Sequence, residues 1–129
     1  MKKTAILLMT YIRPENTKRI LNLLIKYKQK NIFIFNDGLK LQKHKNLNRL
    51  TKNVILNFKK KNKIKNFFSK KNLTQKNNLP IALNWVFKKN DKVIILEDDC
   101  IPSRTFFRFC RTFFNLIFII CIIFWHIIF

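Results

Sequence analysis

Glycine is almost absent: Gly38 is the single one in 129 residues. Phosphate-cradling loops of the P-loop and dinucleotide-fingerprint kinds need several glycines at fixed spacing, so that backbone can approach phosphate, and those classes are excluded. Cysteine is scarce too. Cys100, Cys110 and Cys121 are odd in number and too widely spaced for a Cys-x-x-Cys clamp, which argues against a disulfide framework and for a reducing, cytoplasmic setting. His44 and His126 stand isolated, and neither is assigned a role. The apolar run 5–9, behind Lys2 and Lys3, is short for a signal-peptide core and no small-residue cleavage site follows it. It reads as a first strand.

Acidic residues are the third shortage, six against 27 Lys and Arg, for a formal net charge of +21. Three of the six are consecutive, Glu97, Asp98 and Asp99, directly after the apolar run Val93, Ile94, Ile95, Leu96. Adjacent carboxylates raise each other's pKa and resist joint ionisation unless a cation compensates them. Oxygen ligands without neighbouring His suit Mg2+ or Mn2+, which are commonly held by one or two carboxylates plus substrate phosphates. A metal-bound, phosphate-bearing substrate is the expectation. The plain alternative is an acidic strand end followed by a turn, with Ile101, Pro102 and Ser103 leading into a helix.

A basic chain ordinarily suggests nucleic acid or an anionic membrane surface. Lys, Asn, Ile and Phe are abundant together, however, and their codons are rich in A and T, so part of the charge reflects coding composition. The nucleic-acid reading would rest on residues 59–71, with Phe67 and Phe68 as stacking groups. A solvated loop is the simpler account of that stretch, and nucleic acid is set aside as a partner.

With 48% hydrophobic residues, the chain can bury one modest core. Residues 5–10 and 31–36 are short apolar runs of the kind buried on both faces of a parallel sheet. Between them Pro14 opens a helix whose Ile20, Leu21, Leu24 and Tyr27 form one apolar face through Lys28. This is a βαβ unit, closed by the turn pair Asp37-Gly38. Further on, residues 39–52 hold a short helix, 53–58 a third strand, 59–71 a loop, 79–88 a helix with Pro80 near its start, and 92–96 the next buried strand. The carboxylates then sit at the carboxyl end of that strand, where open α/β sheets bind ligands.

Residues 113–129 are apolar apart from Asn115 and His126, close to the roughly 20 residues that span a bilayer. Arg104, Arg108 and Arg111 would then lie on the cytoplasmic side. The chain therefore divides into residues 1–111 and an apolar tail, 112–129. The tail is readable as a membrane-anchoring helix, as a core element of a longer protein, or as the product of a late reading-frame change.

Four pieces stand in order along the chain: Thr10-Tyr11-Ile12-Arg13-Pro14, Phe35-Asn36-Asp37-Gly38, the helix containing Ala82 to Phe87, and Ile94-Ile95-Leu96-Glu97-Asp98-Asp99 with Pro102 and Phe106-Phe107-Arg108-Phe109 beyond it. In that order they resemble the nucleotide-binding half of GT-A fold glycosyltransferases, in particular the inverting N-acetylglucosaminyltransferase I-like group and related bacterial sugar transferases. The resemblance covers about residues 4–110. It implies a partial Rossmann-like sheet, mostly parallel, with helices on both faces; after Cys110 the chain departs from the family's pattern, and its apolar C-terminal end is expected as a helix on its own composition. The resemblance also implies a nucleotide-diphosphate sugar donor and a glycan or lipid-linked acceptor. Asp99 would bind the divalent metal, Mn2+ or Mg2+; Asp98 would lie near the ribose, Glu97 near the donor sugar, Asp37 at the base, and Arg13 at the nucleotide. For Asp37 an Asp-Gly turn, and for Arg13 an exposed helix entry, are the plain alternatives. The catalytic base of the family comes from its carboxyl-terminal half, and this chain has no acid after Asp99. The resemblance therefore implies a donor-binding half without acceptor site or base.

Overall fold

The computed structural model describes residues 4–116. Residues 117–129, and with them most of the tail expected to form an apolar helix, lie outside the described residues. Strands β1 (Thr4–Thr10), β2 (Ile32–Asn36), β3 (Ile64–Phe68) and β4 (Lys92–Glu97) form a four-stranded sheet in the order β3-β2-β1-β4. All its pairings are parallel, with Leu7 opposite both Phe33 and Ile95. Helices α1 (Pro14–Lys26), α2 (Lys45–Lys61), α3 (Thr74–Phe87) and α4 (Arg104–Leu116) connect and cover it.

The apolar runs of β1, β2 and β4 are continuous because both of their faces are buried. Ile6, Leu8, Ile32, Ile34, Ile94 and Leu96 point to one side, where they meet Ile20, Leu21 and Leu24 of α1, Ile55 of α2 and Phe107, Cys110 and Phe114 of α4. Ala5, Leu7, Phe33, Phe35, Val93 and Ile95 point to the other, against Ala82 and Val86 of α3. The period of two that separates these sets is the pleat itself. Trp85 packs edge-on to Phe33 at 5.0 Å, and Phe67 stacks on Phe35 at 5.2 Å.

The two faces follow from the path of the chain. β1-α1-β2 and β2-α2-β3 step outward on one face, and α3 then returns across the opposite face to place β4 on the other side of β1. Strand order reverses between β1 and β4. In sheets of this kind the reversal opens a crevice at the carboxyl ends of the two strands.

Four boundaries differ from the sequence reading. Residues 53–58 are helical, not a strand, because α2 runs unbroken over Lys45–Lys61. Asn48, Thr51 and Ile55 are its buried residues, with Val54 and Phe58 packed partly against the core, a helical spacing hidden by its two polar members. The basic stretch 59–71 is not all loop: it holds β3, whose edge position tolerates Lys65, lying 4.2 Å over the Phe33 ring. Helix α3 begins at Thr74, so Pro80 is inside it rather than near its start. Helix α1 ends at Lys26, where Lys28 takes a left-handed φ of 55° and the Gln29 amide reaches back to Leu24 O at 2.8 Å.

Candidate functional site

The crevice at the reversal is a cleft of about 770 Å³. Its walls include Tyr11, Arg13, Asp37, Asn72, Lys76 and the Glu97-Asp98-Asp99 run, so residues from the ends of β1, β2 and β4 and from the start of α3 converge there. Five residues singled out by the sequence, Arg13, Asp37, Glu97, Asp98 and Asp99, share this one cavity.

Arg13 precedes Pro14 at the N-terminus of α1 and does not cap the helix with its side chain. Its guanidinium instead crosses to the end of β4, donating to Asp98 Oδ1 at 2.8 Å and to Asp99 Oδ2 at 3.1 Å. The backbone amide of Tyr11 donates to the other Asp98 oxygen at 3.4 Å. Asp98 is buried, while Asp99 keeps 48% of its side chain exposed. Burial pushes the Asp98 carboxyl above its ordinary pKa; Arg13 and the Tyr11 amide pull it back only in part. The same contacts raise the Arg13 guanidinium, with Asp98 as the main cause. Burial against a desolvation cost together with a specific charge partner in a cleft is an arrangement that functional sites use to shift a carboxyl pKa.

Asp37 is held more tightly than a turn residue needs to be. Its Oδ1 accepts from the amides of Gly38 at 2.7 Å and Leu73 at 3.0 Å, and its Oδ2 from Asn72 Nδ2 at 3.3 Å. It therefore clamps the β3-α3 loop against the end of β2. Gly38 explains itself here: a Cβ on it would lie 2.3 Å from the carbonyl carbon of Lys71 and 2.8 Å from the amide nitrogen of Asn72. The single glycine serves close passage of two backbones.

A buried polar network behind the cleft has no obvious mark in the sequence. Asn36 donates to Thr10 Oγ1 at 3.0 Å and to the Tyr11 carbonyl at 3.1 Å; Asn48, from α2, donates to the same carbonyl at 2.9 Å and to that of Asp37 at 3.1 Å. These bonds fix both loops that carry Arg13 and Asp37. Tyr11 also places its hydroxyl 3.3 Å from His44 Nδ1 and accepts from the Lys40 amide at 2.9 Å. No pattern in 32–36 or 48–55 distinguishes Asn36 and Asn48 from the many other asparagines of the chain.

Among the described residues no three His, Cys, Asp or Glu side chains are arranged as a ready-made metal cage. Cys100 adds no thiolate: burial, then its bond to Asp99 Oδ1 at 3.4 Å, pushes its pKa up to about 11. What the cluster does offer is one exposed carboxylate, Asp99, beside the partly buried Glu97. Such an arrangement suits an ion that brings most of its ligands on substrate phosphates and water. Phe67 and Phe68, in turn, are turned toward the two cores rather than displayed for stacking on bases. Among the described residues no helix is long and apolar enough to cross a membrane. The chain matches no protein-family model, no curated protein and no solved structure.

Proposed function

We propose that this chain is the donor-binding half of a GT-A type, Rossmann-like glycosyltransferase, taking a nucleotide-diphosphate sugar for transfer to a glycan or lipid-linked acceptor. The observation that carries the reading is the convergence of Arg13, Asp37 and Glu97-Asp98-Asp99, from three strand ends, on one cleft at the β1/β4 reversal. No glycine-rich phosphate loop is present to do the same work.

In this reading Asp99 holds a divalent ion, Mn2+ or Mg2+, together with the donor diphosphate. Such an ion, when bound, neutralises charge on the leaving diphosphate. The residues of the chain do the rest. Arg13, which bridges the two aspartates, would set its guanidinium beside the diphosphate. Asp98, buried and anchored by the Tyr11 amide, faces the ribose. Asp37 keeps the β3-α3 loop in place beside the base, and Glu97 faces the sugar. These residues account for donor binding and leaving-group stabilisation, and none of them is assigned as the general base for the acceptor hydroxyl.

The test is thermal. Mn2+ with a nucleoside diphosphate at 100 times its Kd should add about 2.7 kcal/mol to stability, read as a melting-temperature rise of several degrees. Asp99→Ala should abolish the rise. A panel of nucleoside diphosphates that gives no rise with the unaltered chain overturns the proposal.

A further inference from the structure

Helix α4 leaves the acidic cluster by way of Ile101-Pro102-Ser103 and buries Phe107, Cys110 and Phe114 on the sheet. Its outer side has two flanks. Arg104, Arg108 and Arg111 follow one another at spacings of four and three along the first, all exposed, with the Arg111 guanidinium resting on Gln29 Oε1 at 2.6 Å. Phe109 and Phe113 occupy the second, stacked with ring centroids 5.9 Å apart and planes at 22°. Phe109 is 58% exposed, and Ile101 just before the helix is 42% exposed. No acidic residue lies on α4.

We propose that the outer face of α4 lies in the plane of an anionic lipid bilayer, with the Phe109-Phe113 pair entering the acyl boundary and the arginines on lipid phosphates. Exposed aromatic area beside a row of cations on one helix is the composition of interfacial helices, and each such cation adds to the attraction of an anionic leaflet. Charge decides among the occupants. A second copy docked on the same face would bring two rows of three arginines together with no acid on either helix to pair with them. Nucleic acid would match the arginines but leaves the Phe pair, stacked on itself rather than splayed, without a role. The chain continues beyond α4 with thirteen residues that are apolar except for His126, which suits the same surroundings. This inference is independent of the sugar-transfer reading: it concerns a face that does not line the cleft.

Co-sedimentation of the full chain with phosphatidylglycerol vesicles, and with neutral phosphatidylcholine vesicles, tests it. Every variant retains residues 117–129, so a change reports on α4 itself. The unaltered chain should partition to the anionic vesicles, and each of Arg104→Gln and Arg108→Gln should weaken partitioning about 5-fold. Phe109→Ser, at a solvent-exposed position that leaves the core intact, should weaken it by a similar factor. Absence of binding to anionic vesicles overturns the proposal. So does unchanged partitioning of all three variants, or loss of single-stranded DNA binding in those variants while vesicle binding persists.

Discussion

Gly38→Ala puts a methyl group where the structure has no room for one. The added methyl would sit 2.3 Å from the Lys71 carbonyl carbon and 2.4 Å from its oxygen, both backbone atoms that no rotamer change can move aside. The β3-α3 loop must lift. That separates Leu73 N from Asp37 Oδ1, now 3.0 Å apart, and Asn72 Nδ2 from Gly38 O, now 2.9 Å apart. A hydrogen bond to a charged acceptor is worth about 1.5–3 kcal/mol and a neutral one about 1 kcal/mol, so the loss is roughly 3 kcal/mol. Against a total stability on the order of 5–15 kcal/mol this is large. In urea, with a slope of about 1–3 kcal/mol per molar, the unfolding midpoint should fall by roughly 1–3 M. A midpoint within about 0.3 M of the unaltered chain would refute the claim that this glycine exists for backbone clearance.

Three further outcomes follow from the site and the core. Because burial raises the Asp98 carboxyl above its ordinary value of 3.8, the unfolded chain loses that proton first as pH rises, and this group's contribution is full below about pH 4 and shrinks above it. Asp98→Asn should therefore gain stability relative to the unaltered chain between pH 3.5 and 7 in parallel urea titrations; a relative loss would contradict the assignment. Arg13→Gln leaves Asp98 without its cation and should cost about 1 kcal/mol at pH 7, modest because the Arg13 side chain is half exposed, with the effect fading as pH falls through the raised pKa of Asp98. Phe67→Ala removes a ring stacked on Phe35 and tilted against Trp85, so it should cost about 2–3 kcal/mol by calorimetry while leaving any nucleic-acid affinity unchanged.

Much of this architecture was legible because strands buried on both faces announce themselves as short apolar runs. β1, β2 and β4 were readable on that ground, and so was the placement of Glu97-Asp98-Asp99 at a strand end. The third strand was not. β3 lies at the edge, and Ile64-Lys65-Asn66 has the composition of a loop because one side of it is exposed. The reading of 53–58 as strand failed for the opposite reason: Val54, Ile55 and Leu56 favour strands locally, and packing of the helical face through Asn48, Thr51 and Ile55 overrides that preference. At the site, residue types marked the acids and Arg13, but the pairing of Arg13 with both aspartates depends on the β1/β4 reversal, which only the third crossover fixes. Asn36 and Asn48 were invisible because asparagines serving backbone carbonyls look like any others in an asparagine-rich chain.

The most direct trial of the central claim is the electron paramagnetic resonance of Mn2+ titrated with the chain, with and without a nucleoside diphosphate. The account predicts that the free-ion signal is quenched by chain and nucleotide together beyond the effect of nucleotide alone, and that Asp99→Ala restores it. Equal signals for the unaltered chain and the variant would contradict it.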